Sequence, residues 1–386
     1  MKNQNSKIKI FIAGFVCCAV LLLLLTKVFH VGALLVGSEY RTYKGLDKDY
    51  GKYYEILELI DEEALAEYEP DKITDDVLKE LVEGLDDPYA EYFTAEEYEL
   101  YMKHYKESYV GVGLAVADYE DWILVYKVIE GSPAAEAGID TGDIVTKIDG
   151  KKVKDSTEAS EALSGKVGEE VTITVKRGDN EYDYTMDRAK IDDPSVGWKE
   201  YDKDKGIAYI EITAFKEGTS KELRLAIKEL KNEGYTKAII DLRDNGGGRT
   251  KEAYKVADML LPEGKIDTEV NKNGKEVVNK SKPSDAGIDY VVLVNENTAS
   301  ASELVSAAIQ DNKGGKIIGV TTYGKGVTQR THKFSDGSAI KFTIEEYFRP
   351  NGDKVNGVGV TPDIVLAEDV MADNDAVLKL AADELK

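Results

Sequence analysis

A serine and a lysine lie in two short segments whose composition suits acyl transfer. Ser300 lies in the run Asn-Thr-Ala-Ser-Ala-Ser-Glu over residues 297–303, and Lys325 lies 25 residues later, between two glycines. A serine hydroxyl is a poor nucleophile until a neighbouring base accepts its proton. The two segments therefore predict Ser300 as a nucleophile and Lys325 as its base.

Histidine is the usual base for a serine nucleophile, and it is scarce in this sequence. The chain has three histidines: His30 in an apolar stretch, His104 in a helical pattern rich in tyrosine and lysine, and His332 on a predicted strand with charged neighbours. A Ser-His hydrolase that uses His332 is the weaker enzyme hypothesis. Ser302 is an alternative nucleophile, although its position also suits a hydroxyl at the start of a helix.

Lys325 can accept a proton only as a neutral amine, and an ordinary lysine has a pKa of ~10.4. Lowering that pKa by roughly three units requires ~4 kcal/mol, which burial away from carboxylates can supply. No acidic residue lies between Asn312 and Arg330. Gln329 could position the amine through its amide oxygen without adding charge. Four residues of extended strand would span ~13 Å, so the chain must bend near Gly326.

Ser300 is predicted to lie between a buried strand and a helix. The strand over residues 290–294 is continuously apolar, and sheets with such central strands place their sites at the carboxyl ends of the strands. The amide of Ala301, at the helix N-terminus, is a candidate donor to an oxyanion. Gly247, in the glycine-rich run 241–248, is the candidate second donor, because glycine allows a bare amide to point into the site.

Hydrophobic periodicity predicts the elements that position these residues. We expect an all-helical arm over residues 41–106, a small β-rich domain with two helices over 107–188, and an α/β core over 189–386. Strands and helices alternate in the core, which indicates helices packed on a largely parallel sheet. The predicted fold class is α+β multidomain.

Turn and cap residues subdivide the β-rich segment. Ser132 suits a helix N-cap, Gly138 suits the left-handed end of that helix, and Asp149-Gly150 suits a hairpin turn. The segment from 109 to 187 resembles a PDZ domain of the bacterial protease-associated type.

The PDZ resemblance implies a peptide-binding loop. In such domains the loop before the first strand binds a terminal carboxylate with backbone N–H groups while the peptide adds as a strand. In this sequence the resemblance implies that Val112, Gly113 and Leu114 bind the peptide.

Composition excludes several classes of function. A net charge of −23 would repel nucleic acid, so we expect no nucleic-acid partner. The two cysteines, Cys17 and Cys18, lie together in an apolar segment, and no His-Glu-x-x-His pair occurs. Residues 111–113 lack the third glycine of a dinucleotide loop. We therefore predict neither a metal nor a cofactor.

Residues 1–40 have the pattern of a targeting segment. Lysines at positions 2, 7 and 9 precede an uncharged run over residues 10–26. The pattern favours an uncleaved membrane anchor whose N-terminus stays inside, with the remaining chain facing outward. A cleaved secretory signal is the alternative.

From about residue 47 to the end, the motifs resemble, closely and in order, the carboxyl-terminal processing peptidases, or tail-specific proteases. Besides the PDZ pattern, the shared motifs are Asp-Asp-Pro-Tyr at 86–89, Asp-Leu-Arg-x-Asn-x-Gly-Gly at 241–248, Ala-Ser-Ala-Ser-Glu at 299–303, Gly-Lys-Gly at 324–326 and Gly-Val-Gly-Val-Thr-Pro-Asp at 357–363. The resemblance implies Ser300 as nucleophile, Lys325 as base and Gln329 as the supporting glutamine. Gly246 stands where the family usually has proline, and Thr298 where serine is frequent.

The resemblance implies a serine endopeptidase that recognises the C-termini of protein or peptide substrates through its PDZ domain. It would cleave their tails by acyl transfer outside the cytoplasm. It also suggests that the PDZ domain gates the site and that the helical arm mediates homodimerisation. A catalytically silent PDZ adaptor, whose α/β part is only a scaffold, is the alternative.

Overall fold

The computed structural model describes residues 50–103, 105–283 and 286–385. The chain divides into two compact units, Met1–Ile73 and Thr74–Lys386. The predicted N-terminal anchor, both cysteines, His30 and His104 lie outside the described residues. Within the described ranges, no helix has both the length and the apolar character needed to span a bilayer.

The described part of the first unit is mostly helical. Residues 50–63 form α1, and α2 (Pro70–Glu83) begins in this unit. In the second unit, α3 (Ala95–Lys103) follows. Periodic apolar residues in these segments predicted helices, and the structure agrees over these ranges.

The β-rich segment folds into an antiparallel sheet with the strand order β3-β4-β5-β7-β8, and β6 pairs with β5. Its strands are β3 (Leu114–Tyr119), β4 (Trp122–Val128), β5 (Ile144–Ile148), β6 (Lys151–Lys152), β7 (Glu170–Arg177) and β8 (Asn180–Asp187), and its helices are α4 (Pro133–Ala137) and α5 (Ser156–Leu163). Val125 and Ile173 are fully buried in its core. Because β3 ends the order, one of its edges is unpaired within this sheet.

The predicted caps and turn in this segment are confirmed. The Ser132 side chain accepts a hydrogen bond from the N–H of Ala135, and Gly138 has a φ of 93°. Asp149 and Gly150 both have positive φ, at 50° and 74°, as a tight hairpin turn of this type requires. Short-range turn chemistry was therefore sufficient to locate these elements. A two-stranded sheet, β2 (Ser108–Gly111) with β9 (Ala189–Asp192), pairs the two ends of the segment.

The α/β region contains a six-stranded sheet with the order β10-β11-β12-β15-β16-β19. Its strands are β10 (Val196–Asp202), β11 (Ile207–Ile212), β12 (Lys237–Asp241), β15 (Asp289–Val294), β16 (Lys316–Gly319) and β19 (Ile364–Val365). All neighbours pair in parallel except β10, which is antiparallel to β11. The parallel sheet that the alternation predicted is present, with one antiparallel edge strand.

Helices cover both faces of this sheet. The helices are α6 (Thr219–Asn232), α7 (Thr250–Leu260), α8 (Ala301–Asp311), α9 (Glu368–Met371) and α10 (Asn374–Asp383). Ile240 packs in the cluster with α6, α7 and α8, whereas its neighbour Ile239 packs in the cluster with α10. Successive residues of a strand point to opposite faces, so a strand covered on both faces is apolar throughout.

A second, antiparallel sheet contains the predicted strand of His332 together with strands that the sequence did not predict. It has the order β1-β18-β13-β14, with β17 also paired to β18, and its strands are β1 (Glu91–Phe93), β13 (Gly264–Asn271), β14 (Glu276–Ser281), β17 (Val327–Lys333) and β18 (Ala339–Phe348). The prediction of an all-helical arm is therefore wrong at β1. Tyr92 and Phe93 are buried there, and pairing with the distant β18 satisfies the hydrogen bonds of their backbone.

Candidate active site

Ser300 lies at the turn between β15 and α8. Its backbone has φ 56° and ψ −114°, a conformation that residues other than glycine rarely adopt. The N–H of the preceding residue, Ala299, donates to the carbonyl of Asn245 at 3.0 Å, which fixes the turn against the glycine-rich run. Backbone strain of this kind collects at functional sites and persists only where surrounding contacts impose it.

Glu303 joins the segment of Ser300 to the segment of Lys325. Its carboxylate is fully buried and accepts hydrogen bonds from the N–H groups of Ser300 (2.8 Å), Gly324 (2.7 Å) and Lys325 (2.8 Å). The hydroxyl of Thr322 donates to it as well, at 2.5 Å. Sequence reasoning assigned Glu303 only to the helix dipole and missed this contact. Its place in the first turn of α8 was the one available signal.

Tyr347 forms a second connection between the two segments. Its hydroxyl on β18 lies 2.9 Å from the carbonyl oxygen of Ser300 and 2.8 Å from that of Lys325, so it donates toward both. The side chain is buried. Sequence reasoning missed Tyr347, because nothing in the strand pattern distinguishes it from an ordinary core tyrosine.

The amine of Lys325 is partly buried and lies 4.2 Å from the centre of the Tyr89 ring. Burial lowers the pKa of this lysine, and the positive charge of Lys341 lowers it further, while Asp87 and Glu303 oppose the change. Over the described ranges, no hydrogen bond joins the amine to the Ser300 hydroxyl. The fold thus brings the two backbones together and leaves the side chains uncoupled in this arrangement.

Gln329 does not reach Lys325 in this structure. The amide nitrogen of Gln329 donates to the Thr343 hydroxyl at 3.2 Å, and that hydroxyl donates to Asp87 at 3.0 Å. β17 begins at Val327, the residue after Gly326. Pairing with β18 then directs the glutamine side chain toward Thr343.

The two predicted oxyanion donors differ in availability. The N–H of Ala301 is buried and has no hydrogen-bond partner among the described residues, so it is free to bind an anion. The N–H of Gly247 instead donates to the side chain of Asn245 at 2.9 Å. In this arrangement Gly247 therefore does not present a bare amide to the site. Asparagine commonly bonds to the backbone two residues on, and here that turn occupies the amide.

Gly247 packs directly against the nucleophile turn. With φ at 99°, a Cβ there would lie 2.7 Å from the carbonyl oxygen of Ala299 and 2.9 Å from the Cβ of Ser300, whereas a Cβ on Gly246 meets nothing within 4 Å. We expect Gly247→Ala to lower kcat at least ~100-fold, because small displacements of reacting groups cost that much. Gly246→Ala is the matched control and should retain wild-type kcat. Equal kcat values for the two variants in a peptide-cleavage assay would contradict the prediction.

The predicted peptide-binding loop borders a cavity of about 570 Å³. Val112 and Leu114 line this cavity, and so do residues 246–248 of the α/β region. Outside the strand ladders, the N–H groups of Val112 and Gly113 have no hydrogen-bond partner in the described chain. A Cβ on Gly113 would lie 2.1 Å from the Cβ of Ser132, so only glycine fits.

The alternative base, His332, and the alternative nucleophile, Ser302, have different surroundings from Lys325 and Ser300. His332 is exposed on β17, edge-on to Phe334 with ring centres 5.2 Å apart. Ser302 is fully buried and donates to the carbonyl of Asn245 at 2.9 Å. In the described part of the chain, no cluster of His, Cys, Asp or Glu could hold a metal ion.

Comparison with known proteins gives consistent results. Residues 206–366 match peptidase family S41, and residues 109–187 match the PDZ domain family. The chain is 32% identical to the "Probable CtpA-like serine protease" of Staphylococcus aureus strain COL over 94% of its length and 74% of that protein. It is 33% identical to the protein of the same name from Staphylococcus epidermidis, over 95% and 76%. Among solved structures, it resembles the photosystem II D1 C-terminal processing protease with a TM-score of 0.53 and 25% identity, over 88% of this chain and 95% of that one.

Proposed function

This chain belongs to peptidase family S41 and is a CtpA-like serine peptidase of the carboxyl-terminal processing type, and from that premise we propose that Ser300 and Lys325 are its catalytic pair. The observation that carries this proposal is the double connection of the two segments through Glu303 and Tyr347. The lowered pKa of the lysine amine supports it. A lysine can act as a base near neutral pH only if its pKa is lowered in this way.

In the proposed reaction, the Ser300 hydroxyl attacks the carbonyl carbon of the scissile peptide bond while the neutral amine of Lys325 takes the hydroxyl proton. The N–H of Ala301 donates to the oxyanion that forms. The ammonium then gives its proton to the departing amine, which leaves an acyl-enzyme and a neutral lysine. A water molecule, deprotonated by the same lysine, releases the acyl product and restores the serine.

The amine must first leave the ring of Tyr89, because proton transfer requires a heavy-atom distance of ~3 Å. A cation over an aromatic face is stabilised, so this contact favours the charged lysine and opposes its action as a base. We propose that the arrangement described above precedes catalysis and that substrate binding releases the lysine. In that reading Gln329 and Gly247 also acquire their catalytic contacts after this change.

We further propose that the enzyme selects substrates by their free C-termini. The free N–H groups of Val112 and Gly113 suit a terminal carboxylate, and the unpaired edge of β3 suits an added peptide strand. The cavity extends from this loop to residues 246–248 beside the nucleophile turn. A tail held by its carboxylate could therefore lead the preceding chain toward Ser300.

A peptide that ends in an apolar residue, prepared as the free acid and as the C-terminal amide, tests this proposal. We expect kcat/KM to be at least ~10-fold higher for the free acid, because charge-assisted hydrogen bonds to a carboxylate are about twice as strong as neutral ones. The measurement is cleavage of both peptides by the purified full-length protein. Equal cleavage would contradict recognition of the C-terminus, and binding without any cleavage would favour the silent adaptor.

Location and assembly remain predictions from the sequence. The lysines and uncharged run of residues 1–40 predict a membrane anchor with an extracytoplasmic catalytic part. The homodimer implied by the family resemblance is likewise a prediction.

A further inference from the structure

Three lysines line the cavity that joins the PDZ loop to the nucleophile region: Lys103, Lys127 and Lys216. Two of them are paired with one carboxylate. Lys127 lies 3.0 Å from Asp193, and Lys216 also forms an ion pair with Asp193. Their charges are thus compensated within the protein.

Lys103 has no such partner. Its ammonium donates to the hydroxyl of Ser164 at 2.6 Å, and no ion pair to it exists among the described residues. An ammonium has three donors, so this contact leaves two of them. Burial lowers the pKa of Lys103 and Lys106 lowers it further, while Glu99 and Glu161 oppose the change.

The position of Lys103 is close to the carboxylate loop. Ser164 directly follows Leu163 at the end of α5, and a Cβ placed on Gly111 would lie 3.7 Å from the Leu163 carbonyl oxygen. The ammonium contacts Ser164, next to the residue whose carbonyl oxygen approaches the loop, and Lys103 lines the same cavity as Val112. Lys103 itself belongs to α3, outside the segment that matches the PDZ family.

Arg188 is a second cation near this end of α5, and three of its five N–H donors are used within the protein. Its guanidinium donates to the carbonyl oxygens of Ala162, Leu163 and Glu170 at 2.6, 3.2 and 3.0 Å. These bonds stabilise the end of the helix, and Arg188 is buried and does not line the cavity. Of these two cations, Lys103 is the one that lines the cavity.

We propose that Lys103 forms an ion pair with the terminal carboxylate of a substrate tail bound at the Val112-Gly113 loop. This inference rests on the proposed recognition of C-termini and names the charged group that completes it. The helical arm thus contributes part of the peptide site. The loop supplies neutral N–H donors, and the arm supplies the positive charge.

The test measures binding to the full chain carrying Ser300→Ala, so that no peptide is cleaved. Fluorescence anisotropy gives Kd for an apolar-ended peptide as free acid and as amide. In this background we expect the free acid to bind more tightly. Adding Lys103→Gln should reduce the ratio of the two Kd values roughly tenfold through weaker binding of the acid alone. Lys103→Arg should preserve most of the ratio, since it keeps the charge.

Lys127→Gln is the matched control, because Lys127 lines the same cavity but is paired with Asp193; the ratio should not change. An unchanged ratio in Lys103→Gln would overturn the inference while leaving recognition of C-termini intact. Equal weakening of acid and amide would also overturn it, because the role of Lys103 would then be structural. If the Ser300→Ala protein itself shows no preference for the acid, both this inference and the proposed recognition fail.

Discussion

Replacing Ser300 with alanine should lower kcat for peptide cleavage by roughly four to six orders of magnitude, the loss typical of a nucleophile that acts with its base as a unit. The backbone at Ser300 is held by the Glu303 carboxylate and the Tyr347 hydroxyl, and both contacts use main-chain atoms. Alanine keeps those atoms, so the variant should fold and bind peptides normally. Single-turnover cleavage together with peptide binding would measure the two effects separately.

Ser302→Ala is the matched control for this prediction. The Ser302 hydroxyl donates to the carbonyl of Asn245 and is fully buried, so its loss should cost about 1 kcal/mol of stability and leave most of the activity. Cleavage that survives in Ser300→Ala and disappears in Ser302→Ala would move the nucleophile by two positions and refute our assignment.

Lys325→Met should lower kcat/KM by about three orders of magnitude, within the range that general base catalysis supplies. The lysine acts in its neutral form. Below its pKa, the neutral fraction rises about tenfold for each pH unit, so wild-type kcat/KM should rise with pH until the lowered pKa is passed. Lys325→Arg should be as inactive as the methionine variant, because arginine stays protonated. The measurement is kcat/KM across a pH series for all three proteins.

His332→Ala separates this mechanism from a Ser-His hydrolase. His332 is exposed and contacts Phe334, so its replacement should change neither kcat/KM nor the rise with pH. If the rise of kcat/KM with pH persists in Lys325→Met and vanishes in His332→Ala, histidine is the base.

The proposed selection of C-termini depends on the same cavity as the Lys103 inference, but each has its own readout. Cleavage of acid and amide peptides reports on the whole site, whereas the ratio of Kd values in Lys103 variants reports on one cation. Together the two measurements decide whether the arm, the loop or both recognise the tail.

Local sequence patterns determined the elements around the site. Ser132 and Gly138 delimit a helix, and Asp149-Gly150 turns a hairpin, because cap and turn geometry depends on residues within a few positions of each other. The apolar run that became β15 indicated a strand covered on both faces. The same patterns predicted that Ser300 lies in the turn before α8.

Pairing between distant segments could not be read in this way. The strand Glu91–Phe93 and the hairpin of β13 and β14 depend on contacts with β18. Their sequences carry no strong alternation of their own. Tertiary pairing therefore overrode or replaced the local signal in these elements.

By itself, the sequence determined which residue types could perform acyl transfer and which elements would carry them. The tertiary structure decided where their hydrogen bonds go: Glu303 receives donors up to 22 residues away, and Tyr347 reaches the Ser300 carbonyl across 47. It also determined that the amide of Gly247 donates to the Asn245 side chain and that the side chain of Gln329 donates to Thr343. The physical reason is that a local pattern fixes backbone conformation, whereas the partner of each buried polar group depends on which distant segment packs beside it.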